Sequence, residues 1–75
     1  MGGNLMEYYN RIKELREEKE LNQTQLGNIF NLNQKTISQY ERKERQIPND
    51  LIIELAKFFG VSTDYLLGAS DKRKP

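Results

Sequence analysis

Cysteine and histidine are both missing from this 75-residue chain. Without cysteine there is no disulfide framework, and without either residue ordinary zinc ligation is excluded. A reducing cytoplasm is the natural setting for such a composition. No apolar run approaches the roughly 18 residues that a membrane span requires. The N-terminus lacks the charged start and apolar stretch of a secretory signal. Met1-Gly2-Gly3 begins like a myristoylation motif, but Met6 stands where that motif requires Ser or Thr. Catalytic groupings are missing too. There is no Gly-rich phosphate loop, no carboxylate pair in an apolar setting, and no base beside Ser38 or Ser62. These absences argue against an enzyme, a cofactor, a bound metal or a small-molecule ligand.

The length allows one small domain with a modest core. Below about 70–80 residues such a domain is marginal unless it packs well or dimerises. Net charge is only +1, but it is unevenly spread. Residues 7–20 hold five Glu against four Lys and Arg, and residues 22–46 hold four Lys and Arg against two Glu. Residues 47–70 are acidic again, and the tail from Asp71 is basic. A weakly charged domain of this kind needs amide and backbone N–H contacts as well as ion pairs to hold a phosphate backbone.

The stretch NQTQLGNIFNLNQKTISQYER, Asn22 to Arg42, organises the chain. Asn22 is a helix cap, and Leu26, Ile29 and Phe30 fall at helical spacing after it. Asn31 tolerates a left-handed backbone and ends that helix, with Leu32 plugging the turn. Asn33 caps a second helix that points Ile37 and Tyr40 inward, with Glu41 beside them. Gln34, Lys35, Thr36, Ser38 and Gln39 are left on its other faces. A narrow apolar stripe beside a wide polar face usually means a helix lying on a surface. These particular side chains also suit the major groove. A Gln amide matches adenine N6 and N7, Lys is drawn to guanine O6 and N7, and a Thr methyl meets a thymine methyl.

The flanking segments read as supports. Glu7 to Glu20 is a helix with Tyr8, Ile12 and Leu15 as its stripe, closed by Leu21. Gly27 lets two helices approach closely. The loop Arg42-Lys43-Glu44-Arg45-Gln46 is basic, and Arg42, Lys43 and Arg45 suit phosphates flanking a groove. Pro48 opens a further helix whose buried face is Leu51, Ile52, Leu55, Ala56 and Phe59, with Ile53 and Phe58 off that stripe. Gly60 ends it, Ser62 caps a last short helix, and Gly68 ends that.

From about Arg11 to Leu67 the sequence resembles the helix-turn-helix domain of lambdoid phage repressors and Cro proteins, and of the bacterial regulators built like them. The likeness rests on Arg16, Leu21, Gln23, Leu26, the Asn31 turn, Thr36-Ile37-Ser38, Glu41, Pro48 and the late AKFFGVSTDYLL at fixed spacing. It implies an all-α, compact five-helix, lambda-repressor-like DNA-binding domain over residues 7–68, with the helix-turn-helix at helices two and three. Residues 1–6 would be a disordered extension or residues added to the natural chain, with Met6 an alternative natural start, and residues 69–75 a mobile tail or the start of a linker.

The resemblance also implies roles. Gln34, Lys35, Thr36 and Gln39 would read bases. Asn22, Gln23, Asn33, Ser38, Arg42, Lys43 and Arg45 would hold phosphates. Arg16 would pair with Glu41, and Gln23 would brace Gln34. Two departures stand out: Gly27 where Ala is commoner, and Lys43 where Gly usually turns the chain. Lys43 leaves open whether the helix runs on or Lys43 itself becomes left-handed. The expected partner is double-stranded DNA, bound by a homodimer acting as a repressor in a bacterial or phage-infected cytoplasm. The other reading is an antitoxin-like module that docks a protein with the same helices.

Overall fold

The computed structural model describes residues 10–74. Five helices run in order among them: α1 (Ile12–Glu18), α2 (Gln23–Ile29), α3 (Gln34–Glu41), α4 (Asn49–Phe59) and α5 (Thr63–Leu66). The starts follow from the caps. Asn22 and Gln25 form a reciprocal capping box, Asn33 accepts from the Thr36 N–H, and Ser62 accepts from the Tyr65 N–H. Each satisfies donors that a helix start otherwise leaves orphaned.

All five described helices end the same way. Glu20, Asn31, Lys43, Gly60 and Gly68 have positive φ, between 59° and 78°. The residue after each sends its N–H back to a carbonyl five residues earlier: Leu21 to Arg16, Leu32 to Gly27, Glu44 to Gln39, Val61 to Ala56 and Ala69 to Asp64. This left-handed exit closes carbonyls that the helix end would leave unpaired. Gly takes the conformation freely, whereas a residue with a Cβ does so at a cost of roughly 1–2 kcal/mol. Lys43 is therefore strained (φ 62°), and α3 does not run on.

The core is assembled from all five helices and two connecting segments: Ile12, Leu15, Leu26, Ile37, Tyr40, Ile47, Ile52, Leu55, Ala56, Val61 and Leu66. Asn10 is buried beside it, donating from Nδ2 to the Tyr40 carbonyl at 2.9 Å and accepting the Ile12 N–H on Oδ1. This ties the start of α1 to the end of α3.

One expectation needs correcting. Ile29 is 49% exposed and does not share the inward face of α2. Gly27 takes that place, because an ideal Cβ there would lie 2.5 Å from the Leu32 carbonyl oxygen. So close an approach turns Leu26, Gly27 and Phe30 inward and rotates Ile29 out. Ile53 is exposed, in keeping with its place off the α4 stripe, whereas Phe58, also set off that stripe, packs edge-on against Phe30 at 5.5 Å.

The tail has contacts with the helices. Residues 69–74 fold back over α1 and α5. Arg73 donates twice to Glu18, at 2.9 and 2.6 Å, and the Arg73 carbonyl accepts the Ser62 N–H. Arg11 donates to the Ser70 carbonyl at 2.9 Å, and the Tyr65 ring lies near both the Arg11 and Arg73 guanidinium groups. The expected segment 1–6, together with Glu7 and Tyr8, lies outside the described residues.

Candidate nucleic-acid interface

The face of α3 is set by which side chains the core takes. Ile37 and Tyr40 are almost fully buried, and Glu41 lies beside them. Gln34 and Lys35 are exposed at the first turn, and Thr36 and Gln39 are half-buried along the rim. These four therefore border one outer face. Ser38 does not join them. It is 9% exposed and lies on the buried side of α3, next to Ile37. A small polar residue one position past an inward Ile fits where a larger side chain would not. Its hydroxyl has little surface to offer a phosphate.

Beneath this face runs a chain of hydrogen bonds. Arg16 Nε donates to Glu41 Oε2 at 2.6 Å, and Arg16 Nη2 donates to Glu41 Oε1 at 3.2 Å. The third guanidinium nitrogen donates to the Leu21 carbonyl at 2.7 Å. The two side chains are 11% and 3% exposed, so this is an interior pair joining α1 to α3. The hydrogen bond that Arg16 donates to Glu41 raises the Arg16 pKa above its ordinary value, against the opposing effect of burial. Gln23 Nε2 donates to the same Glu41 at 2.9 Å, and Gln34 Nε2 donates to Gln23 Oε1.

The order of atoms in this chain is forced. A carboxylate only accepts, so Gln23 must turn its NH2 group to Glu41. Its carbonyl oxygen is then left for Gln34, which must likewise present nitrogen. Gln34 retains one N–H and its Oε1 for anything approaching from solvent.

The remaining candidates are scattered around this centre. Asn22 and Asn33 are exposed at the starts of α2 and α3, with Oδ1 of each used as a cap. Arg42 pairs with Glu44 at 3.1 Å, both more than half exposed, and such a pair is weak. Lys43 is exposed on its left-handed backbone. Arg45 reaches back toward Gln39 and Tyr40. Asn10 and Ile47, which hold α3 and its following loop from behind, carry no periodic signal in the sequence that singles them out.

A helix-turn-helix family model matches residues 12–66. The chain is similar to the HTH-type transcriptional regulator ImmR of Bacillus subtilis (strain 168), with 34% identity over 64 residues, 85% of this chain and 50% of that protein. It is also similar to the uncharacterized HTH-type transcriptional regulator YobD of the same organism, with 31% identity over 68 residues, 91% of this chain and 61% of that one. The chain thus spans about half to three-fifths of the curated relatives it matches. No solved structure matches it.

Proposed function

The chain belongs to the helix-turn-helix family of Cro and phage-repressor type, and from that premise we propose that it is a sequence-specific transcriptional regulator of double-stranded DNA. In this reading α3 enters the major groove, and a homodimer represses from a near-palindromic site in the bacterial cytoplasm. Its two subunits would read half-sites about one helical turn, roughly 34 Å, apart.

One observation carries the reading: the exposed Gln34, at the first turn of α3, is oriented by a hydrogen-bond chain that ends in a buried ion pair. A surface helix has no need of that restraint. Gln34 is left with one donor and one acceptor, the pair that matches adenine N7 and N6. Lys35 beside it offers an ammonium to guanine, and Thr36 a methyl to thymine. Asn22 and Asn33 use their oxygens as caps and keep Nδ2 for phosphate oxygens. Gln23 and the loop residues Arg42, Lys43 and Arg45 flank them. Ser38, being buried, is not among the contacts we propose.

The test is selection of bound sites from random duplex DNA. Gln34→Ala is expected to relax preference at one base pair per half-site. Arg42→Ala is expected to weaken all sequences alike and to reduce the salt slope by about one. Indistinguishable effects from the two variants would defeat the proposal.

A further inference from the structure

Gln39 is the second glutamine on the rim of α3, and its amide is held from the opposite end to that of Gln34. Arg45 Nη1 lies 3.5 Å from Gln39 Oε1, and the Arg45 guanidinium carbon is 5.9 Å from the centre of the Tyr40 ring. The loop is fixed where this contact needs it. The left-handed backbone of Lys43 turns the chain back, and the Glu44 N–H donates to the Gln39 carbonyl at 2.9 Å. Residues 44 and 45 therefore return alongside the last turn of α3. A guanidinium has five donors and no acceptor, so the amide atom facing it is the carbonyl oxygen. The Gln39 NH2 group is directed away as a donor.

We infer that Arg45 is a positioning residue for base specificity, acting through Gln39 and restricting it to keto bases. This deepens the DNA-binding reading and rests on it. Guanine O6 and thymine O4 accept a hydrogen bond, whereas adenine N6 and cytosine N4 donate one. An unrestrained Gln takes adenine by offering both an acceptor and a donor. Gln39 has its oxygen turned back toward Arg45 and its NH2 group turned outward, so the amino group of adenine meets a donor rather than an acceptor. The two glutamines of α3 thereby make opposite demands. Gln34, restrained through nitrogen, suits adenine; Gln39, restrained through oxygen, suits guanine or thymine. Arg45 would then be more than one of the phosphate-binding cations.

The experiment is the same random-duplex selection, run on the 75-residue chain with Gln39→Ala, Arg45→Met and Arg45→Lys. Gln39→Ala marks the base pair that Gln39 reads. At that pair the wild type is expected to enrich a keto base over adenine. Arg45→Met is expected to melt within about 4 °C of the wild type, since Arg45 is exposed. It is also expected to lower the keto-to-adenine ratio roughly tenfold, the worth of one well-made side-chain-to-base pairing. Arg45→Lys, which keeps a donor-only head, is expected to restore part of the preference. If Arg45→Met weakens every sequence alike and leaves the preference at that pair unchanged, Arg45 is only a phosphate contact. The inference then falls while the DNA-binding reading stands. If the wild type itself enriches no sequence, the DNA-binding reading falls and takes the inference with it.

Discussion

Removing the Glu41 side chain is the sharpest perturbation this domain offers. Glu41 accepts from three donors, Arg16 Nε, Arg16 Nη2 and Gln23 Nε2, within 3.2 Å. Glu41→Ala leaves Arg16, whose side chain is 11% exposed in the intact domain, with the Leu21 carbonyl as its remaining hydrogen-bond acceptor. Breaking one side of a buried pair costs about 3–5 kcal/mol, because the surviving charge stays out of water unmatched. A chain of this length has about 4–11 kcal/mol of stability in total. For a domain of this size each kcal/mol moves Tm by about 4–8 °C, so Glu41→Ala should lower Tm by more than about 12 °C.

Two controls separate the causes. Exposed Glu17→Ala should stay within about 0.5 kcal/mol of the wild type. The double variant Arg16→Met with Glu41→Leu removes both charges and should recover most of the loss, since an apolar pair of similar volume replaces a buried ion pair at little cost. Thermal denaturation measures all three. A Glu41→Ala loss no larger than that of Glu17→Ala, or a double variant as unstable as the single one, would refute the reasoning.

Other consequences follow from particular residues. Lys43→Gly relieves a left-handed residue and should stabilise by about 0.5–1 kcal/mol after the greater chain entropy of Gly is offset; an unchanged or lower Tm would contradict the strain. Gly27→Val places two methyl groups against the Leu32 carbonyl and should cost more than about 2 kcal/mol in denaturant unfolding; a neutral result would show that the turn yields. The hydrogen bonds from Arg73 hold the Glu18 carboxyl below its ordinary pKa. A depressed carboxyl contributes above its unfolded value of about 4.3 and loses that contribution as pH falls through the folded value. The tail should therefore loosen from α1 in acid, seen as movement of the Tyr65 ring resonances below about pH 4. Glu18→Gln should show the loosened spectrum at neutral pH, and identical spectra for the two proteins would exclude the latch.

Much of the site was legible because its signals are local. The caps Asn22, Asn33 and Ser62, the turn at Asn31 and the inward pair Ile37 and Tyr40 all depend on neighbours within a few residues. Ile29 misled for a related reason. Helical spacing gives the width of a face but not its angular centre, and one close contact at Gly27 turned α2 enough to expose Ile29. Composition does not show where the tail lies, because its partner Glu18 is 55 residues away from Arg73 in sequence.

What the sequence determined alone is where the capped helices α2, α3 and α5 begin, though not that α1 starts at Ile12 rather than Glu7, and which residue types are on hand for base edges. Local hydrogen bonds and side-chain periodicity settle those within one or two turns. The direction in which each amide faces was decided only by tertiary structure. A glutamine is donor and acceptor at once, and its polarity is set by whether a carboxylate-terminated chain or a guanidinium lies against it. Those partners come from α1, from α2 and from the loop beyond Lys43, and only the folded chain brings them together.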